Sequence, residues 1–89
     1  MKRIEFAKSF EKSYAKRIAK SPKLQKAYDQ SYKLFAAGKR RYPIDNHALT
    51  GTMAGKRAFS VANDARVIYR ETDDAIIFID IGSHNQVYR

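Results

Sequence analysis

Arg66-Val67-Ile68-Tyr69-Arg70-Glu71, Thr72-Asp73-Asp74, then Ala75-Ile76-Ile77-Phe78-Ile79-Asp80-Ile81-Gly82-Ser83-His84-Asn85-Gln86-Val87-Tyr88 is the stretch that decides the fold. Two runs rich in β-branched residues flank a short polar turn, the pattern of an antiparallel hairpin. In the second run, strict alternation puts Ile77, Ile79 and Ile81 on one face and Ile76 and Phe78 on the other. A strand apolar on both faces belongs in the middle of a sheet. Beyond it, Gly82 to Tyr88 carries a titratable ring and an aromatic to the sheet's rim.

Working back toward the N-terminus, Asn63-Asp64 is turn chemistry. Arg57 to Val61 alternates as another strand, with Phe59 and Val61 on one face. Gly55 predicts a turn, and Leu49-Thr50-Gly51 a short edge segment. Lys39-Arg40-Arg41-Tyr42-Pro43 is a basic connector, with Pro43 favouring extended chain before it. Leu24, Ala27, Tyr28, Ser31, Leu34 and Phe35 recur at helical spacing between Ser21-Pro22 and Gly38, which serve as start and stop. Phe10, Tyr14 and Ile18 form the stripe of an earlier helix, for which Ser9 is a candidate cap. Arg3 to Ala7 reads as a short strand. The chain of 89 residues is therefore expected to be a single α+β domain: an N-terminal strand, a helical hairpin, then three or four antiparallel strands, with the helix pair on one side of the sheet.

Charge divides the chain. Residues 1–41 hold 13 Lys and Arg against 3 Asp and Glu, whereas residues 42–89 hold 5 against 6. So basic a half attracts polyanions through long-range steering and counterion release. Nucleic acid is the leading partner class, and an acidic protein the second. There is no cysteine, which removes disulfides and thiolate metal sites. No apolar run approaches a membrane span of about 20 residues, and no apolar stretch follows the charges at Met1 to Phe6. A cytosolic location is expected.

Four blocks carry a resemblance: His47-Ala48-Leu49-Thr50-Gly51, Gly55-Lys56-Arg57-Ala58-Phe59-Ser60-Val61, Asp64-Ala65-Arg66-Val67-Ile68-Tyr69-Arg70, and Asp80-Ile81-Gly82-Ser83-His84-Asn85-Gln86-Val87-Tyr88. Together they resemble the RelE/ParE toxin superfamily, and most closely its YafQ-type RelE/StbE branch. The resemblance implies a microbial-ribonuclease-like sheet of four or five strands with two N-terminal helices. It also implies the toxin of a type II toxin–antitoxin system, one that enters the ribosomal A site and cleaves mRNA without a metal or cofactor. Its partners would be the ribosome, the message and a cognate antitoxin.

RNA cleavage by side chains needs a base for the 2′-hydroxyl, cations for the crowded phosphorane and an acid for the leaving 5′-oxygen. His84, at the end of the buried strand, is the first candidate for proton transfer; otherwise it is an exposed histidine. His47 matches a histidine of the family branch and is assigned as base or substrate-positioning group. The two histidines lie 37 residues apart with no cysteine beside them, which argues against zinc. Asp64 is the matching carboxylate, a base or an orienter of a histidine, or simply a turn residue. Arg66 matches the arginine of catalytic relatives and would bind phosphate; the bland reading is a surface ion pair, for example with Asp80. Tyr88 stacks on a base or hydrogen-bonds the phosphate; the bland reading is that it packs on the sheet. Lys39, Arg40, Arg41, Lys56 and Arg57 are candidate phosphate contacts. Ser60 departs from the pattern, which often has a second active-site histidine there. The alternatives are a ParE-like gyrase inhibitor and a catalytically weak RNA-binding module of the same fold.

Overall fold

The computed structural model describes residues 2–62 and 64–88. Its elements run β1 (Arg3–Phe6), α1 (Lys8–Arg17), α2 (Pro22–Ala36), β2 (His47–Ala48), a single 3₁₀ turn (Gly51–Met53), β3 (Lys56–Ser60), β4 (Ala65–Glu71), β5 (Ala75–Ser83) and a short α3 (His84–Val87). One sheet has the order β1-β5-β4-β3-β2. The pairings are antiparallel except that of β1, which lies parallel to β5. This is the expected α+β architecture, with the apolar strand β5 in the interior.

The helix pair covers one face. Ser21 caps α2 by accepting from the Leu24 N–H, with Pro22 in the first turn, and Gly38 takes the left-handed conformation (φ 96°) beyond its end. Phe10 of α1 and Tyr28 and Phe35 of α2 pack with Phe59, Val67, Tyr69, Ile76, Phe78 and Ile81 of the sheet. Phe78 is the hub, with the rings of Phe6, Phe10, Tyr32, Phe35, Phe59 and Tyr69 all about it. The opposite face carries a smaller cluster, Ala58, Ile68 and Val87, flanked by Leu49, Met53, Ile79 and Tyr88.

Four sequence-based expectations are corrected. The connector at Pro43 is not extended: residues 41–44 form a turn, with the Ile44 N–H donating to Arg41 O. Ser9 does not cap α1; the cap position is Ala7, and the Ser9 hydroxyl instead donates to the Ile79 carbonyl at 2.6 Å. The edge segment falls at His47–Ala48 rather than 49–51, because Gly51 adopts φ 66° and turns the chain into the 3₁₀ turn. Ile81 does not share a face with Ile79. Tyr69 pairs with Phe78 and Ile68 with Asp80, so Ile79 is an extra residue and a bulge resets the alternation. Ile81 thereby joins Ile76 and Phe78 under the helices. The Asn63 half of the expected turn lies outside the described residues.

The bulge is satisfied from the side. Strand β1 stops at Phe6, leaving the upper edge of β5 without a partner strand. Helix α1 and its approach replace it: the Ala7 N–H donates to Phe78 O, the Ser9 hydroxyl to Ile79 O, and Arg17 to Ile81 O at 3.1 Å and to Asp80 Oδ1 at 3.2 Å. Asp80 also accepts from the Ile81 N–H at 2.9 Å. Few backbone groups in this stretch are left for a foreign strand to engage.

Truncating Phe78 to Ala removes the centre of the aromatic cluster and should lower the unfolding free energy by about 3–5 kcal/mol in urea titrations. A loss near zero would show that the cluster is not the core. Burial pushes the Tyr28 hydroxyl above the ordinary tyrosine value, with Tyr32, Tyr14 and Asp29 adding to it. The folded state therefore favours the neutral phenol. Its contribution is intact below about pH 10 and is lost as pH rises through the raised value. Tyr28→Phe should flatten that alkaline loss.

Candidate active site

The candidate residues gather on the face turned away from the helix pair. In β4, Val67 faces the helices, so Arg66 and Ile68 face the other way. In β3 the same alternation turns Ala58 and Ser60 outward. Cross-strand pairing sets Ser60 opposite Arg66 and Arg66 opposite Gly82, and sets His47 opposite Ala58 one step down the sheet. Residues 47, 60, 66 and 82 thus meet on four neighbouring strands although they are scattered in sequence.

At the end of β5 the chain enters α3 rather than stopping at the rim. Ser83 caps it: its hydroxyl accepts from the Gln86 N–H, and the Gln86 side chain accepts from the Ser83 N–H at 2.8 Å. This is a reciprocal capping box. The turn of helix places His84 and Tyr88 four residues apart on one side, with their rings 4.5 Å apart at 71°.

Asp64 reaches His84 through the backbone. Its carbonyl accepts the His84 N–H at 3.0 Å and its Oδ1 lies 3.4 Å from the same nitrogen. The carboxylate therefore steadies the start of α3, and no hydrogen bond joins it to an imidazole among the described residues. Arg66 donates from one terminal nitrogen to the carbonyls of Ala62 and Ala65, both at 3.2 Å, which fixes the guanidinium over the turn between β3 and β4. Its charge is felt at Tyr88. Burial pushes the Tyr88 hydroxyl above the usual tyrosine value, and Arg66 pulls it the other way. The phenol is thus protonated at neutral pH, and its oxygen makes no hydrogen bond among the described residues. Asp80 pairs with Arg17 rather than with Arg66.

His47 sits in the short edge strand, and its Nδ1 is 2.9 Å from the Asp45 carbonyl. A carbonyl only accepts, so Nδ1 carries a proton and the neutral ring presents a bare Nε2. His47 and Tyr88 line one groove of about 470 Å³ together with Leu49 and Met53. Tyr88 therefore borders both neighbourhoods, touching the His84 ring and sharing a groove with His47. A second groove, about 690 Å³, runs from Asp64, Gly82 and Ser83 to Lys16 and Arg17.

The five candidate phosphate contacts separate. Lys39 and Arg41 are exposed. Lys56 is half-buried beside Ile68 and Asp80. Arg40 is exposed but engaged: its guanidinium lies 4.2 Å over the Phe35 ring and donates to the Phe35 and Lys39 carbonyls, closing α2. Arg57 is committed too, donating to Asn46 Oδ1 at 2.6 and 2.9 Å and to the Tyr69 hydroxyl at 3.3 Å. That network fastens the approach to His47 onto the core. Sequence reasoning missed Asn46, Ser83 and Gln86 as supports. The Ser-x-x-Gln spacing was a legible signal for the last two, whereas Asn46 gave none.

Gly82 is also a support. A Cβ there would come within 2.7 Å of Gln86 Oε1 and 2.8 Å of an Arg17 nitrogen. Gly82→Ala should therefore displace the capping glutamine or the clamped arginine and cost about 1–3 kcal/mol in denaturant titrations. Gly82→Ala in an Arg17→Ala background should cost less if Arg17 is the obstacle.

No match was found among curated protein sequences. Over residues 2–89 the chain matches the family described as bacterial toxin of type II toxin–antitoxin system, YafQ. Among solved structures it is similar to YafQ from E. coli strain BL21(DE3), at TM-score 0.78 and 20% identity with 100% of each chain covered. It is similar to a copper-bound mutant toxin from Helicobacter pylori at TM-score 0.80 and 23% identity, covering 98% of this chain and 99% of that one. It also resembles YafQ in the E. coli DinJ–YafQ toxin–antitoxin complex, at TM-score 0.74 and 21% identity over 99% of this chain and 98% of that one. These likenesses support the fold, and the match across nearly the whole sequence decides membership: the chain belongs to the YafQ family of type II toxin–antitoxin toxins.

Proposed function

We propose that this toxin is an endoribonuclease that cuts mRNA on the ribosome by side-chain acid–base chemistry. The observation that carries the reading is the grouping around Tyr88: the His84 ring 4.5 Å away, the Arg66 charge acting on its phenol, and His47 lining the same groove. Imidazoles, a guanidinium and an aromatic surface on one face are the groups that the reaction needs.

In the proposed step, His47 Nε2 takes the proton of a ribose 2′-hydroxyl, and that oxygen attacks the adjacent phosphorus. The bond from phosphorus to the 5′-oxygen breaks, leaving a 2′,3′-cyclic phosphate. Protonated His84 gives its proton to the departing 5′-oxygen. Arg66 stabilises the charge on the phosphorane, and the Tyr88 ring supports the neighbouring base. The Nδ1 contact of His47 to a carbonyl favours His47 as the base, since it leaves the outward nitrogen as the acceptor. Asp64 acts by holding the backbone of His84. Lys39, Arg41 and Lys56 remain as the phosphate contacts. The ribosome would order the message across this shallow face and bring the 2′-hydroxyl into line.

The partner in this reading is an antitoxin, as DinJ is for YafQ in the solved complex. It would cover the basic surface and the site face together.

Primer extension on a message translated in a cell extract tests the proposal. The wild-type chain should give codon-phased cuts, and His84→Ala and His47→Ala should each lower cutting by about 10²-fold or more. Inhibition of gyrase supercoiling with the message intact would instead make the chain a gyrase poison. Ribosome binding without cuts would make it a binding module, consistent with serine rather than histidine at position 60.

A further inference from the structure

The turn between α2 and β2 holds an aromatic ring that neither the core nor the site uses. Tyr42 is 84% exposed. Phe6, the other large apolar side chain in the open among the described residues, is 43% exposed and still packs against Phe10 and Phe78. Tyr42 makes no ring contact among the described residues.

The turn that carries it is firmly anchored. On one side, Arg40 lies over the Phe35 ring and bonds to the Phe35 and Lys39 carbonyls. On the other, Ile44 is fully buried in the helix-side core, and its carbonyl accepts the Ser60 N–H at 2.6 Å. The Asn46 N–H donates to Arg40 O at 2.8 Å, and those of Ile44 and Asp45 to Arg41 O at 3.1 and 3.3 Å. The backbone is thus pinned at both ends and across the middle, while its crest offers an open ring. Lys39 and Arg41, both exposed, flank it, with Asp45 the one carboxylate in the turn. Because Ile44 is tied to Ser60, and Ser60 is paired with Arg66, the turn stands at the end of the sheet where Arg66 and Gly82 lie.

We infer that Tyr42 is a stacking platform for an unpaired RNA base, with Lys39 and Arg41 holding the phosphates on either side. Cations interleaved with a pre-positioned aromatic are the usual means of gripping a single strand without reading its sequence. A ring held on a fixed turn loses little freedom on binding. Charge complementarity decides the class of ligand: three exposed cations, Lys39, Arg40 and Arg41, within three residues of the ring suit a polyanion that carries flat bases. The inference rests on RNA being the ligand of this fold, though not on the chain cutting it.

The chain contains no tryptophan, so Tyr42→Trp places a single indole reporter at the crest. Oligoadenylate should quench its emission saturably. Duplex RNA, polyphosphate and polyglutamate, which carry charge without an unpaired base, should not. Tyr42→Ala should weaken oligoadenylate binding roughly tenfold at fixed salt, and Tyr42→Phe should leave it unchanged. Arg41→Ala should lower the slope of log K against log salt by about 0.7, which Tyr42→Ala should not do. Emission that stays constant while oligoadenylate binds, or equal binding by Tyr42→Ala and wild type, overturns the platform and leaves the ribonuclease reading intact. A response to polyglutamate alone overturns it in favour of an acidic protein at this turn. Failure of the wild-type chain to bind any RNA removes both this inference and the reading beneath it.

Discussion

The arrangement of this molecule depends on one extra residue in one strand. Strand β5 must bury Ile76, Phe78 and Ile81 under the helices, and those positions do not share a parity. The bulge at Ile79 reconciles them, because it lets Phe78 meet Tyr69 and Ile81 meet Val67 on the same face. The same adjustment turns Gly82 toward the row that holds Ser60 and Arg66. A bulge leaves carbonyls that a regular ladder would have used, and here Ser9 and Arg17 take them. Core packing and site geometry are thus two results of a single local irregularity, held by side chains from a helix that itself contributes no candidate catalytic group.

Much of this was legible in the sequence. The hairpin around Thr72-Asp73-Asp74 follows from composition, and Thr72 does fold its hydroxyl under the Asp74 and Ala75 N–H groups. The Ser21-Pro22 start and Gly38 stop of α2 follow from capping chemistry. The bulge was hidden for a physical reason: β5 is apolar at nearly every position from 75 to 81, so the pattern looks the same in either register. The short edge strand was displaced because two-residue pairings carry almost no periodic signal. Helix α3 did announce itself, in Ser83 and Gln86, within a run that otherwise continues the strand.

The candidate site was legible as a set of residues and not as a geometry. His47 and Arg66 come together only through strand pairing, and His84 and Tyr88 through the turn of α3 that follows β5; the sequence prints neither contact. Local partners reassign several of the candidates: Asp64 acts on a backbone N–H, and Arg40 and Arg57 spend donors fastening neighbouring segments while Arg40 stays exposed. An arginine near the end of a helix or opposite a buried tyrosine has enough donors to be consumed locally, and only the three-dimensional partners reveal it.

The exposed lysines of α1 and α2, Lys8, Lys12, Lys16, Lys23, Lys26 and Lys33, with Lys20 in the turn between them, belong to the layer that backs the sheet. The candidate catalytic residues of β2 and β4 lie on the other face. The long-range pull on a polyanion and the groups proposed to act on it are thus set on different surfaces, which meet at the groove where Lys16 approaches Asp64.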